Sequence, residues 1–102
     1  MKKFTLYVGL NDKDTKTQKI DTLEAYKIVS NLLVATVGGG TIYQAQGIYK
    51  HDNGDIVIEN TLRIEIIEAS EKDVNYIIKT LKTILNQEAI ILQTENIESK
   101  LI

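Results

Sequence analysis

The chain has 102 residues, 43% hydrophobic and 25% charged, with a formal net charge of −2. That is ordinary globular material of one-domain size, long enough to bury about two-thirds of its unfolded surface without staples. The absence of cysteine and proline excludes disulfides, thiolate chemistry and a cis-proline turn, and the acidic balance argues against a protein that tracks a phosphate backbone. No apolar run approaches the length of a membrane span, and Met1-Lys2-Lys3-Phe4 leads directly into a strand pattern, so neither a membrane nor a secretion block is expected. A cysteine-free chain suits a reducing cytosol.

Phe4, Leu6 and Val8 alternate with Thr5, Tyr7 and Gly9, which predicts a half-buried strand over 4–10. Asn11 to Lys19 holds no apolar residue and reads as a loop. Asp21, three residues before Glu24, resembles a capping box. Leu23, Tyr26, Val29/Ser30, Leu33 and Val37 follow at helical spacing until Gly38-Gly39-Gly40 stops the helix. A strand over 41–50, a turn at Asn53-Gly54 and a long strand over 56–69 come next, with Asn53-Gly54 suited to positive φ at both central positions. Ser70, followed by Asp73, caps a second helix with an inward stripe of Val74, Ile77, Ile78, Leu81, Ile84 and Leu85. Asn86-Gln87 ends it, a short strand covers 89–93, and the remainder is a tail. The order β-α-β-β-α-β is that of a single α+β domain with a ferredoxin-like sheet and two helices on one face.

A two-residue loop at Asn53-Gly54 would set Tyr49 opposite Ile58, Gly47 opposite Asn60, Ala45 opposite Leu62 and Tyr43 opposite Ile64 on the helix side. Gln44 would then pair with Arg63, and Gln46 with Thr61, on the open side. Two residues stand out. Asn60 is polar among Ile58, Leu62 and Ile64; it either bonds a neighbouring backbone group or marks a small polar pocket, with Gly47 leaving the room. Arg63, the chain's one arginine, either forms a cross-strand ion pair with Glu59 or Glu65 or recognises a phosphate or ribose. His51, the only histidine, precedes a turn and suits a solvated loop. One histidine and no cysteine leave no metal site to build. The triple glycine lacks a P-loop lysine and follows a helix, and Ser30, Ser70 and Ser99 lack any nucleophile-elbow context. An enzyme, a nuclease or lyase with His51 as general base, is a further alternative; the expectation is no enzyme, no catalytic residue and no cofactor. The open mixed face could instead serve a protein-binding inhibitor or structural module.

The run Thr41-Ile42-Tyr43-Gln44-Ala45-Gln46-Gly47-Ile48-Tyr49-Lys50-His51-Asp52-Asn53-Gly54, with Ile58-Glu59-Asn60-Thr61-Leu62-Arg63-Ile64 and the opening Phe4 to Asp12, resembles the phage Thoeris anti-defence proteins of the first type. The resemblance implies a sponge in the cytoplasm of the infected bacterial host. Such a protein sequesters cyclic ADP-ribose isomers, such as glycocyclic ADP-ribose, without cleaving them, and some members also hold cyclic oligonucleotides. It implies a small cyclic nucleotide as ligand and a homo-oligomer, dimeric or larger, with no long nucleic acid. Carried onto this chain, the implied ligand-binding residues are Tyr49, Asn60 and Arg63, then Tyr43, Gln44 and His51. Family pockets use several arginines where this chain has one, so Lys50 or backbone amides would have to meet the phosphates.

Overall fold

Period-two alternation in the first strand works as expected: Phe4, Leu6 and Val8 are buried on one side, and Lys3, Tyr7 and Gly9 face the other. The computed structural model describes residues 1–102. Its elements are β1 (Lys2–Gly9), α1 (Thr22–Val37), β2 (Thr41–Lys50), β3 (Ile56–Ile67), α2 (Glu71–Ile84) and β4 (Ile91–Asn96). The strands form one antiparallel sheet in the order β2-β3-β1-β4. This is the ferredoxin-like arrangement, with β3 ending two residues short of the predicted limit and β4 lying later than predicted.

Both helices lie on one face. Leu62, Ile64 and Ile66 of β3 join the three apolar residues of β1 beneath Ala25, Val29 and Leu33 of α1 and Val74, Ile77 and Leu81 of α2. Each fully buried aliphatic side chain contributes about 1.5–3 kcal/mol relative to exposure. The α2 stripe lies where periodicity puts it, except that Ile84 is 47% exposed. The α1 stripe differs from expectation. Leu23 and Tyr26 are 56% and 37% exposed, because small Ala25, with Val29 and Leu33 one turn apart, forms the seam that approaches the sheet. Helix starts and stops divide similarly. Ser70 Oγ accepts from the Asp73 N–H at 3.1 Å, whereas Asp21 makes no side-chain cap and its carbonyl simply accepts the first helical bond from Ala25 at 2.9 Å. Gly38 ends α1 in the left-handed region at φ 86°.

The β2–β3 hairpin departs most from expectation. Its loop has three residues, Asp52-Asn53-Gly54, closed by the His51 N–H donating to the Asp55 carbonyl at 2.8 Å. Of these only Gly54 takes positive φ, 92°, which suits a type I turn followed by one left-handed residue. The extra loop residue slips β2 by one position. Tyr43 pairs with Arg63, Gly47 with Glu59 and Tyr49 with Val57, while Gln44 pairs with Leu62 and Gln46 with Asn60. Side chains alternate faces, so the slip reverses all of β2: the tyrosines move to the open face and the glutamines to the helix side. The hairpin outreaches the helices in a body measuring 47 × 24 × 24 Å, which leaves Ile48, Ile56 and Ile58 exposed. No helix is long and apolar enough to cross a membrane.

Candidate functional site

The open face of the sheet has two unlike ends. At one end long side chains occupy each other. Glu65 accepts from the Tyr43 hydroxyl at 2.9 Å and pairs with Arg63 at 2.9 Å and Lys3 at 3.1 Å. The Arg63 guanidinium carbon lies 5.1 Å from the Tyr43 ring centre and 5.9 Å from that of Tyr7, within cation–π range. The Lys3 ammonium, then the Tyr43 hydroxyl, holds the Glu65 carboxyl below its ordinary range, and Glu65 in turn raises the Tyr43 phenol and the Lys3 ammonium.

At the other end the floor is Gly9, Gly47 and Thr61. A recess of about 340 Å³ opens above it, walled by Tyr7, Tyr49, Ile91 and Ala89, with Glu59 and Gln87 at its rim. Small-molecule sites are typically about 300–1,000 Å³ and mainly apolar with a few placed polar groups. Gly9 makes room for the Glu59 carboxylate and Gly47 for the Thr61 hydroxyl. A Cβ on Gly9 would stand 2.5 Å from Glu59 Oε1, and one on Gly47 would stand 3.2 Å from Thr61 Oγ1. A narrower polar recess of about 150 Å³ continues past Tyr49, Glu59 and Gln87 to Lys13 and Lys16, neither of which is in an ion pair.

The loop after β1 is rigidly built. Asp12 Oδ2 accepts from the N–H groups of Asp14 and Thr15, each at 3.0 Å, and Oδ1 accepts from Asn86 Nδ2 at 2.9 Å. The Asn86 amide, then the Thr15 N–H, lowers the Asp12 carboxyl to about 2. Next to it, the Asn11 N–H donates to Glu59 Oε2 at 2.8 Å and the Asn11 carbonyl accepts from Gln87 Nε2 at 2.8 Å. The loop therefore fixes both rim residues. A separate recess of about 190 Å³ below this loop is lined by Leu10, Ile20, Ile84 and Leu85. Its Asp12 already spends both oxygens on the loop, which leaves Lys19 as its one charged group without a partner.

The structure separates the six residues expected at a site. Tyr43, Tyr49 and Arg63 lie on the open face, but Tyr43 and Arg63 belong to the ion-paired end and only Tyr49 lines the recess. Gln44 and Asn60 lie on the helix side, beside a shallow open patch with Gln46 and Thr22. Asn60 is not a buried amide facing Gly47. It is exposed and donates to Gln18 Oε1 at 2.8 Å, and Gln18 donates in turn to Ile20 O and Thr22 Oγ1, both at 2.9 Å. His51 is exposed at the hairpin tip, its ring edge-on to Tyr49 at 5.4 Å. No group of three or more His, Cys, Asp or Glu is placed to hold a metal ion. Glu59 and Gln87 had no local signal, because their partner Asn11 lies 48 and 76 residues away. Glycine inside a strand often marks a close approach, and that signal was available at Gly9.

No protein-family model matches the chain, and no curated protein does. The resemblance to the Thoeris anti-defence family is therefore not supported at family level. Solved structures do share the fold. A phage SAM lyase in complex with S-methyl-5′-thioadenosine is 23% identical with a TM-score of 0.66, over 92% of this chain and 79% of that one. The same enzyme class in its apo state is 20% identical with a TM-score of 0.65, over 92% and 78%. The divalent ion tolerance protein CutA1 from Ehrlichia chaffeensis is 12% identical with a TM-score of 0.57, over 97% and 84%. At these identities the likeness is one of fold. It nevertheless corrects the expectation that the chain is not an enzyme: the fold it shares is that of a lyase in two of these structures.

Proposed function

We propose that this chain binds an adenosine-containing small molecule in the recess between Tyr7 and Tyr49 and acts on it as a lyase acts on a sulfonium nucleoside such as S-adenosylmethionine. The observation that carries this is the lining: two tyrosines and a carboxylate around a glycine floor, with no cation among them. A sulfonium gains from the Tyr49 ring and from Glu59, while Tyr7, whose ring already lies 5.9 Å from the Arg63 guanidinium, serves with Ile91 and Ala89 as a wall for the nucleoside. The phage SAM lyase of the same fold holds S-methyl-5′-thioadenosine, a product of such a cleavage. When the carbon–sulfur bond breaks, its electron pair stays on sulfur and neutralises it. As that bond breaks, the neighbouring carbon of the departing fragment gives its proton to Glu59, and the electrons of the carbon–hydrogen bond form a carbon–carbon double bond.

Capture of a cyclic ADP-ribose isomer is the second reading. Lys13 and Lys16 favour it, since both are free of ion pairs and line the continuation of the recess, where a diphosphate would need them. The test is calorimetry with S-adenosylmethionine, S-methyl-5′-thioadenosine and cyclic ADP-ribose isomers, followed by mass analysis of each incubated ligand. Binding of the first two, with S-adenosylmethionine consumed, supports the lyase. Binding of cyclic ADP-ribose isomers alone moves the assignment to the second reading, and no binding overturns both. A homo-oligomer is proposed on the exposed Ile48, Ile56 and Ile58; sedimentation of the wild type and of Ile58→Lys tests it.

A further inference from the structure

We infer that Gln87 sets ligand specificity by presenting a fixed hydrogen-bond acceptor that requires a donor on the bound nucleoside; this rests on the nucleoside reading above. Gln87 follows α2 and is 8% exposed, yet it lines both the tyrosine-walled recess and its polar continuation. Its Nε2 donates to Asn11 O at 2.8 Å and to Leu85 O at 3.2 Å. Two carbonyl acceptors on one atom identify that atom as the amide nitrogen, because an oxygen there would face two oxygens. The other side-chain atom, Oε1, is therefore an acceptor whose direction is set by the backbone. It has no protein donor, and it keeps contact with solvent beside the recess that Gln87 lines, since Arg63 Nε is the only side-chain N or O atom both sealed and without a partner.

An acceptor held in this way cannot turn to offer a donor instead. A ligand group that places N–H or O–H there completes it, and a ligand that lacks the donor leaves it unpaired. Sites built in this manner discriminate strongly against the analogue lacking the group, whereas apolar walls discriminate weakly. Glu59 also accepts, but its carboxylate is held by the single bond from the Asn11 N–H, while the Gln87 carboxamide is pinned at two points. Gln87 is accordingly a specificity-determining residue, and the ligand class is narrowed to nucleosides with a donor at the α2 end of the recess.

The experiment uses the full chain and compares S-methyl-5′-thioadenosine with three analogues that each lack one donor group: the purine-base analogue without the 6-amino group, the 2′-deoxy analogue and the 3′-deoxy analogue. The expected result is that one of the three binds the wild type at least about 10-fold more weakly, and that Gln87→Met binds this analogue and the parent equally. Because the readout is a ratio, a general loss of affinity from loosening the Asn11 loop does not move it. If Gln87→Met fails to fold, the side-chain amide resonances of Gln87 in the wild type decide. They should shift on adding the parent and not on adding the weak analogue. Equal binding of all four ligands by the wild type, or a preference that persists in folded Gln87→Met, overturns the inference alone. No binding of S-methyl-5′-thioadenosine overturns the nucleoside reading and the inference with it.

Discussion

The two ends of the open sheet face share strands and solvent exposure but differ in what their side chains have left to offer. At the end built on Lys3, Tyr43, Arg63 and Glu65, the charges are spent on one another. At the end built on Gly9, Gly47 and Thr61, the floor is small and the lining groups Glu59 and Gln87 are both anchored on Asn11, in no ion pair. A cluster of charged and aromatic residues is thus not in itself a site. A site needs space, and polar atoms that the fold orients but does not satisfy.

Filling the space should break this contrast most. Gly47→Leu places a side chain across the floor, and the expected loss of ligand affinity is at least about 100-fold, roughly 2.7 kcal/mol. Calorimetry checks it, with the unfolding midpoint showing that the sheet survives. Ile64→Ala, on the helix side of the neighbouring strand β3, should do the reverse. It should cost about 2–5 kcal/mol of stability, seen in urea unfolding, and leave affinity at the remaining folded fraction nearly unchanged. The rim loop adds a pH signature. The Asp12 carboxyl is lowered from 3.8 to about 2, so its contribution is fully present above the ordinary value and is lost as pH falls from near 4 toward 2. The stability gap between wild type and Asp12→Ala should therefore close over that window; a gap independent of pH would show that the carboxylate charge is irrelevant. Tyr43→Phe at the spent end should have the smallest effect. It removes one exposed hydrogen bond to Glu65 and should cost no more than about 1 kcal/mol, with no change in ligand affinity. A large loss of affinity would extend the site across the whole face.

Much of this was legible from local pattern. Alternation placed Phe4, Leu6 and Val8 inward, and β3 likewise turned Leu62 and Ile64 inward and Arg63 outward as expected. Helical spacing found Val74, Ile77 and Leu81, and Gly38 stopped α1. The site was less legible. Tyr49, expected among the ligand-binding residues but on the helix side, lines the open-face recess, while Gln44 and Asn60 lie on the other side of the sheet.

The amino-acid sequence by itself determined the element order, the two-helix layer and the inward faces of β1, β3 and α2, because each follows from the spacing of apolar residues a few positions apart. Only the tertiary structure decided the β2 register and the rim of the recess. With a period of two, one additional residue in the Asp52-Asn53-Gly54 loop carries Tyr43 and Tyr49 across the sheet. Glu59 and Gln87 become neighbours only because both bond the one residue Asn11, and contacts spanning 48 and 76 residues leave no trace in local periodicity.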